Sequence, residues 1–284
     1  MMKYRPPKVV AEMCANHGGD METAKRMIRM AEICGVDVCK FQKRDIESQW
    51  YEHPHQYDQP HPNPVHAFGE TYRKHREFLE FDITQHRKLK AYVEQFGMEY
   101  STSVWDIVSA LQVIDLDPLF IKVPSACNTQ YALLEILKKK YTGDIHVSLG
   151  MTTERERDEL QTYWEDSMDR LVLYHCTSGY PVYAPDAYLL EIERLTKIPC
   201  KAIGFSNHHP DINLDFEAQA LGASWFEHHC TLDRFSKGTD HSAALEFDKL
   251  RNLVRGLTQG YEALKYKPVE MAQIEWEQRK KLKE

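Results

Sequence analysis

Val9-Val10-Ala11-Glu12-Met13-Cys14 is a short apolar run broken by one carboxylate. An amphipathic stretch over residues 20–34 follows, opened by Asp20, and then a second apolar run, Val36-Asp37-Val38-Cys39-Lys40-Phe41. A β-type run, a helix with an Asp cap and another β-type run form the unit expected of parallel strands covered by a crossover helix. Outward from this stretch the unit recurs. Further strand candidates lie at 98–102, 119–123, 145–149, 171–175, 202–205 and 224–228, which makes eight. Helical patterns fill the gaps at about 83–96, 107–114, 131–139, 154–165, 187–195, 212–221 and 247–264. Eight such units in about 250 residues predict an α/β fold, a single-domain (β/α)8 TIM barrel with its active site at the carboxyl ends of the strands. An open doubly wound sheet would favour a G-x-G-x-x-G turn after the first strand, and Cys14-Ala15-Asn16-His17-Gly18-Gly19-Asp20 lacks that spacing.

Composition narrows the function classes. At 284 residues and 42% hydrophobic, the chain can bury one large core or two modest ones. Its net charge of -7, from 36 Lys+Arg against 43 Asp+Glu, argues against nucleic acid as a partner, because a phosphate-backbone binder needs a clustered cationic field. No apolar stretch approaches a membrane span, and MMKYRPPKVV lacks a signal peptide's apolar core, so a cytoplasmic protein is expected. Seven cysteines, at 14, 34, 39, 127, 176, 200 and 230, are scattered without a C-x-x-C pair, which indicates neither a disulfide framework nor a thiolate zinc site.

The polar residues at the predicted strand ends are Glu12, Lys40, Thr102, Lys122, Ser148, His175, Ser206 and His229. Lys40 and Thr102 are 62 residues apart, whereas the other neighbours are separated by 20 to 31. The excess lies at 43–80, a segment with five histidines (53, 55, 61, 66, 75) and four prolines (54, 60, 62, 64). That is too many prolines for a regular element, and the segment reads as an inserted loop on the catalytic face. The barrel is assigned to 1–264, and the charged stretch 265–284 to a solvated helical tail.

Lys40 and Lys122 end strands two and four. A buried lysine is costly unless an anion meets it, so two converging at the mouth suggest an anionic substrate; the alternative is a pair of structural salt bridges. Hydroxyls of Ser101, Thr102, Ser125, Thr177, Ser178 and Ser206 would supply neutral donors for a phosphate and carboxylate cradle. Strands seven and eight end in His208-His209 and His228-His229. Neutral imidazoles on adjacent strand ends can hold a divalent metal, and strand alternation lets at most one of each pair point inward. Glu12 would pair with Lys40 or touch substrate, and Asp240, after a glycine turn, is either a site residue or a helix cap. Cys39 and Cys127 lie nearby, without the partner order that thiol catalysis needs.

Several blocks, in order, resemble the catalytic barrel of the sialic acid synthase family, the bacterial N-acetylneuraminate synthases with their legionaminate and pseudaminate relatives. They are Ala11-Glu12 with Asn16-His17-Gly18-Gly19-Asp20, Lys40-Phe41-Gln42, Ser101-Thr102, Lys122 with Ser125, Gly150-Met151, and His175-Cys176-Thr177-Ser178-Gly179-Tyr180-Pro181. Gly204-Phe205-Ser206-Asn207-His208 and Glu227-His228-His229-Cys230-Thr231-Leu232-Asp233-Arg234 with Gly238-Thr239-Asp240-His241 complete the set, which spans about residues 8–258. The resemblance implies condensation of phosphoenolpyruvate with an open-chain aldose, giving a 3-deoxy-2-keto sugar acid and phosphate. It implies a divalent metal on His208 and His229, manganese or magnesium first, cobalt or zinc as alternatives. It assigns phosphoenolpyruvate binding to Lys40, Thr102, Lys122, Ser125, Ser178 and Ser206, and places Glu12, Gln42, Tyr180 and Asp240 near the sugar and the reacting centre.

The departures concern the acceptor. Ala126-Cys127-Asn128-Thr129 stands where many members have a sugar-contacting glutamate, Asn207 replaces the Asp before the first metal histidine, and His228 replaces the Lys or Arg often found before the second. The chain stops about 20 residues after the last barrel helix, where family members continue into an antifreeze-like domain, so the resemblance covers the barrel only. A different aldose, or a cap from another chain, follows as an expectation, and a homo-oligomer stays open. The competing readings are a synthase acting on another or a phosphorylated aldose, with Arg44, Arg73 and Arg76 as phosphate partners unless they belong to a solvated loop, and a catalytically silent sugar-binding paralogue.

Overall fold

The computed structural model describes residues 4–268 and 270–283. Eight parallel strands close on themselves in chain order, β1 pairing with both β2 and β8. The chain runs β1 (Lys8–Glu12), α1 (Met21–Cys34), β2 (Val38–Lys43), α2 (Ile46–Glu52), α3 (Pro54–Tyr57), α4 (Tyr72–Leu79), α5 (Ile83–Glu94), β3 (Glu99–Val104) and α6 (Ile107–Ile114). It continues through β4 (Phe120–Val123), α7 (Tyr131–Lys140), β5 (Asp144–Ser148), α8 (Glu154–Tyr163), β6 (Leu171–Cys176), α9 (Leu190–Leu195), β7 (Ala202–Asn207), α10 (Asn213–Ala220), β8 (Trp225–His229), α11 (Phe247–Ala263) and α12 (Glu275–Leu282). This is the (β/α)8 barrel that the alternating runs predict. No helix among the described residues is long and apolar enough to cross a membrane.

Local chemistry sets the helix ends. The Asp20 side chain accepts from Thr23 N–H to start α1, and Gly35, at φ 79°, stops it by donating to the carbonyls of Ala31 and Glu32. Capping boxes open α5 (Asp82 with Gln85) and α8 (Thr153 with Glu156). The main core lies between the strands and the helix ring. Leu250, Leu253 and Leu257 of α11, spaced three and four residues apart, are fully buried there. Truncating any one of them to alanine would cost about 2–5 kcal/mol. Inside the barrel, Val10, Val38 and Phe120 and a second group, Val172, Tyr174 and Ala202, fill the floor beneath the site.

The long segment after β2 is more ordered than its prolines suggest. Pro54 and Pro64 stand at helix starts, where a missing N–H costs nothing, and α2 and α4 occupy its proline-free ends. Arg44 and Arg76 are buried, both on Glu80, rather than solvated, while Arg73 sits nearer the surface with Glu47 and Glu77. The segment is tied to the loop after β8 by Gly238 N–H, which donates to His66 Nδ1 at 3.1 Å. In the tail, α12 buries no side chain.

Candidate active site at the carboxyl ends of the strands

Alternation along each strand decides which groups face the axis. Glu12, Lys40, Gln42, Ser103, Lys122, Ser148, Cys176, Ser206, Glu227 and His229 come from strand ends, with His208 just beyond β7, and all line one cavity of about 250 Å³. The loops add Ser125, Ser178 and Tyr180. The register brings Glu12 level with both Lys40 and His229, and Ser103 level with Lys122.

Four charges form the floor. Lys40 Nζ pairs with Glu12 Oε2, donates to Ser103 Oγ at 2.8 Å and lies 3.5 Å from Glu227 Oε1. Lys122 Nζ donates to Glu227 Oε2 at 2.9 Å and sits 3.8 Å above the Tyr174 ring. That ring has room because the facing residue is Gly204, where a Cβ would fall 2.5 Å from it. The two carboxyls differ in character. Burial pushes Glu12 up and Glu227 adds to the effect, so its pKa is raised even with Lys40 beside it. Burial also pushes Glu227 upward, but two lysines more than reverse it and hold the group ionised. Burial lowers Lys122 despite Glu227, whereas for Lys40 the two carboxylates outweigh burial and raise it. A pair of carboxyls with divergent pKa values marks one group that can exchange a proton and one that cannot.

On one wall, the Ser125 and Ser178 hydroxyls converge on Gly150. A Cβ at Gly150 would collide with Ser178 Oγ and lie 2.6 Å from Ser125 Oγ, so only glycine leaves this cradle open. Asn128 fixes the loop beneath it, donating to the carbonyls of Ser148 at 2.9 Å and Gly150 at 3.2 Å. Asn128 therefore braces the Gly150 corner of the cavity. Hydroxyl donors beside a buried ammonium suit a phosphate or carboxylate.

The histidines adjoin this cradle, with Cys176 Sγ 3.8 Å from Ser125 Oγ and 4.0 Å from His208 Nδ1. The His208 and His229 rings meet edge to face with centroids 5.4 Å apart, and Tyr180 packs on His208 at 4.2 Å. His208 Nδ1 is 2.9 Å from the Thr177 carbonyl, which fixes the ring. Burial, opposed by Asp240, leaves the His229 pKa at about 4, so this imidazole is neutral at pH 7. His229 Nδ1 is buried with no hydrogen-bond partner among the described residues. A neutral, unpartnered imidazole beside a carboxylate is what a divalent ion requires, so these residues fit a metal. His228 faces outward instead, bonded through Nε2 to Asp215 at 2.8 Å, and Asn207 donates to the same carboxylate oxygen.

The structure thus brings Glu12, Lys40, Gln42, Lys122, Ser125, Ser178, Tyr180, Ser206, His208 and His229 to one cavity, with Asp240 at its edge against Cys14. Thr102 does not join them. It has outward parity on β3, and Ser103 takes the place against Lys40 that the sequence reading gave to Thr102. His175 likewise turns outward, its Nε2 2.6 Å from the Ala187 carbonyl, and Cys176 lines the cavity. Sequence reasoning missed Ser103, Glu227, Cys176 and Cys14. Alternation along β8 gives Glu227 the parity of His229, a signal present in the sequence, whereas Ser103 and Cys176 are set against their neighbours only by the register between strands.

Comparison with known proteins gives four matches. A family model described as the NeuB family matches residues 27–268. The human N-acetylneuraminate-9-phosphate synthase is 35% identical over 253 residues, covering 89% of this chain and 69% of that protein. The N,N'-diacetyllegionaminic acid synthase of Campylobacter jejuni is 29% identical over 265 residues, covering 90% and 77%. Among solved structures, the N-acetylneuraminic acid synthetase of Leptospira borgpetersenii superposes with a TM-score of 0.82 at 25% identity, covering 98% of this chain and 93% of that one.

Proposed function

We propose, from the premise that this chain belongs to the NeuB family, that it condenses phosphoenolpyruvate with an open-chain aldose to give a nonulosonate-type 3-deoxy-2-keto sugar acid and inorganic phosphate. Family membership makes the chain an enzyme, a sugar acid synthase that forms a carbon–carbon bond. The observation that carries the reading is the pairing of two fully buried lysines with a hydroxyl cradle in one cavity. Phosphoenolpyruvate places a carboxylate and a phosphate on adjacent atoms. Lys40 with Ser103 suits the one, and Lys122 with Ser125 and Ser178 suits the other.

In the reaction, carbon 3 of phosphoenolpyruvate attacks the aldehyde carbon, water adds at the cationic carbon 2, and the bond from carbon 2 to the phosphate oxygen breaks. Glu12 would take the proton from that water, a role supported by the burial and the neighbouring Glu227 that raise its pKa and so its basicity. Glu227 stays ionised and stabilises positive charge near carbon 2 while orienting both lysines. Gln42 donates to Glu12 Oε1 at 3.2 Å and so holds the base in place. His208 and His229 would hold a divalent ion, manganese or magnesium by resemblance, which when bound supplies Lewis-acid polarisation of the aldehyde.

A phosphorylated acceptor is the second reading. Two buried arginines, Arg44 and Arg76, share the single carboxylate of Glu80 in the segment after β2 that is tied to the loop after β8. The relative named for a 9-phosphate product adds support. The test is phosphate release from phosphoenolpyruvate with a panel of N-acylhexosamines and their 6-phosphates, under manganese, magnesium, cobalt or zinc. Aldose-dependent release is expected, and its absence with every aldose and metal overturns the reading.

A further inference from the structure

The loop after β1 holds a thiol that neither the charge network nor the cradle uses. Cys14 has φ 48°, the left-handed region that glycine favours, at a cost of about 1–2 kcal/mol for an L residue. Its N–H is anchored on Glu12 Oε1 at 2.9 Å, and the side chain turns toward Gln42 and His229 of the cavity. There Cys14 Sγ meets Asp240 Oδ2 at 2.5 Å and accepts from Gln42 Nε2 at 3.1 Å. A ligand atom each from Cys14, His229 and Asp240 lies within 4.8 Å of the others. The three come from the β1 loop, the end of β8 and the loop beyond it, so only barrel closure assembles them.

We propose that Cys14 and Asp240 join His229 as metal ligands, giving this chain a thiolate-containing site for a borderline ion such as zinc, cobalt(II) or iron(II) in preference to magnesium or manganese. Three observations support it besides proximity. His229 is more than nine-tenths buried with Nδ1 unpartnered. The Gln42 amide is already aimed at the sulfur, an outer partner that stabilises a ligating thiolate. Charge balances too: binding M2+ releases the Cys14 thiol proton to solvent, and the dication, one thiolate and one carboxylate sum to zero. A neutral total suits a buried site, and thiolate ligation selects the softer ions. The inference rests on the functional reading above only for placing a metal at the mouth.

The test uses the full chain, stripped of metal and titrated with cobalt(II) while absorbance is recorded. A thiolate-to-cobalt charge-transfer band should saturate at one ion per chain, vanish in Cys14→Ser and survive in Cys176→Ser, the other thiol of the cavity. Zinc affinity should fall roughly tenfold or more in Cys14→Ser and in Asp240→Asn, as loss of a ligand requires. X-ray absorption on zinc-loaded wild-type protein needs no variant and should show a sulfur neighbour at about 2.3 Å. Cobalt binding without the band, a band lost only in Cys176→Ser, or a zinc shell of nitrogen and oxygen alone overturns the proposal. None of these readouts depends on turnover, so a failed phosphate-release assay with an intact band would sink the substrate reading and leave this one standing.

Discussion

Replacing Ser103 and Thr102 separately tests strand parity against chemistry, because both hydroxyls lie on β3 one residue apart. Ser103 Oγ accepts from Lys40 Nζ at 2.8 Å inside a site where that ammonium is buried. A hydrogen bond to a charged group contributes about 1.5–3 kcal/mol, and each 1.4 kcal/mol is tenfold in rate or affinity. Ser103→Ala should therefore lower kcat/KM for phosphoenolpyruvate roughly 10- to 100-fold, chiefly through KM if Lys40 meets the ground-state carboxylate. Thr102→Val removes an outward hydroxyl from the same strand and should leave kcat/KM within about twofold, since surface and remote changes add little to a site they do not touch. The assay is steady-state phosphate release at varied phosphoenolpyruvate, with thermal unfolding of both variants to confirm that each folds. A large loss in Thr102→Val with near-normal Ser103→Ala would refute the parity argument and restore the sequence-based assignment.

Gly150→Ala should raise the KM for phosphoenolpyruvate roughly tenfold or more, because its methyl group displaces two hydroxyls, each offering a hydrogen bond of about 1.5–3 kcal/mol to an anion. Calorimetric titration of phosphoenolpyruvate checks it, and unchanged affinity would remove the phosphate from that corner. Acid stability offers a separate test at His86, which is fully buried with Nδ1 2.7 Å from Tyr100 Oη. Burial, with Lys43 and His17 nearby, lowers its pKa to about 3. A depressed histidine pKa means that the fold excludes the proton, so stability is full above pH 6.5 and is lost as pH falls toward 3. His86→Leu should be less stable near neutrality and lose less stability between pH 6 and 4, with proton uptake on unfolding reduced by about one, measured by denaturant titration across pH.

Much of this molecule is legible in the chain. Eight apolar runs with capped amphipathic stretches between them specify the barrel, because each strand is buried on both faces and each helix on one, and that burial pattern is written locally. Lys40, Lys122 and Glu12 stand out for the same reason: a charge inside an apolar run needs a partner, and the fold supplies Glu12 for Lys40 and Glu227 for Lys122. The segment after β2 was harder to read, since proline count alone does not say whether a proline falls at a helix start or inside one. Parity at Thr102 and His175 failed at the strand ends, where a one-residue error in the start of a strand exchanges its two faces.

The sequence alone therefore determined the architecture and the two lysines, which depend on spacing within one strand or one helix, while the choice of His208 and His229 within their pairs came from the family resemblance. Tertiary structure decided that Ser103 rather than Thr102 meets Lys40, that Glu227 bridges both lysines, and that Cys14, 226 residues from Asp240, touches it. The Ser103 contact follows from the register of β2 on β3, whereas the Glu227 and Cys14 contacts form only when the barrel closes and β1 meets β8. Such closure sets distances between residues far apart in the chain, on which local periodicity carries no information.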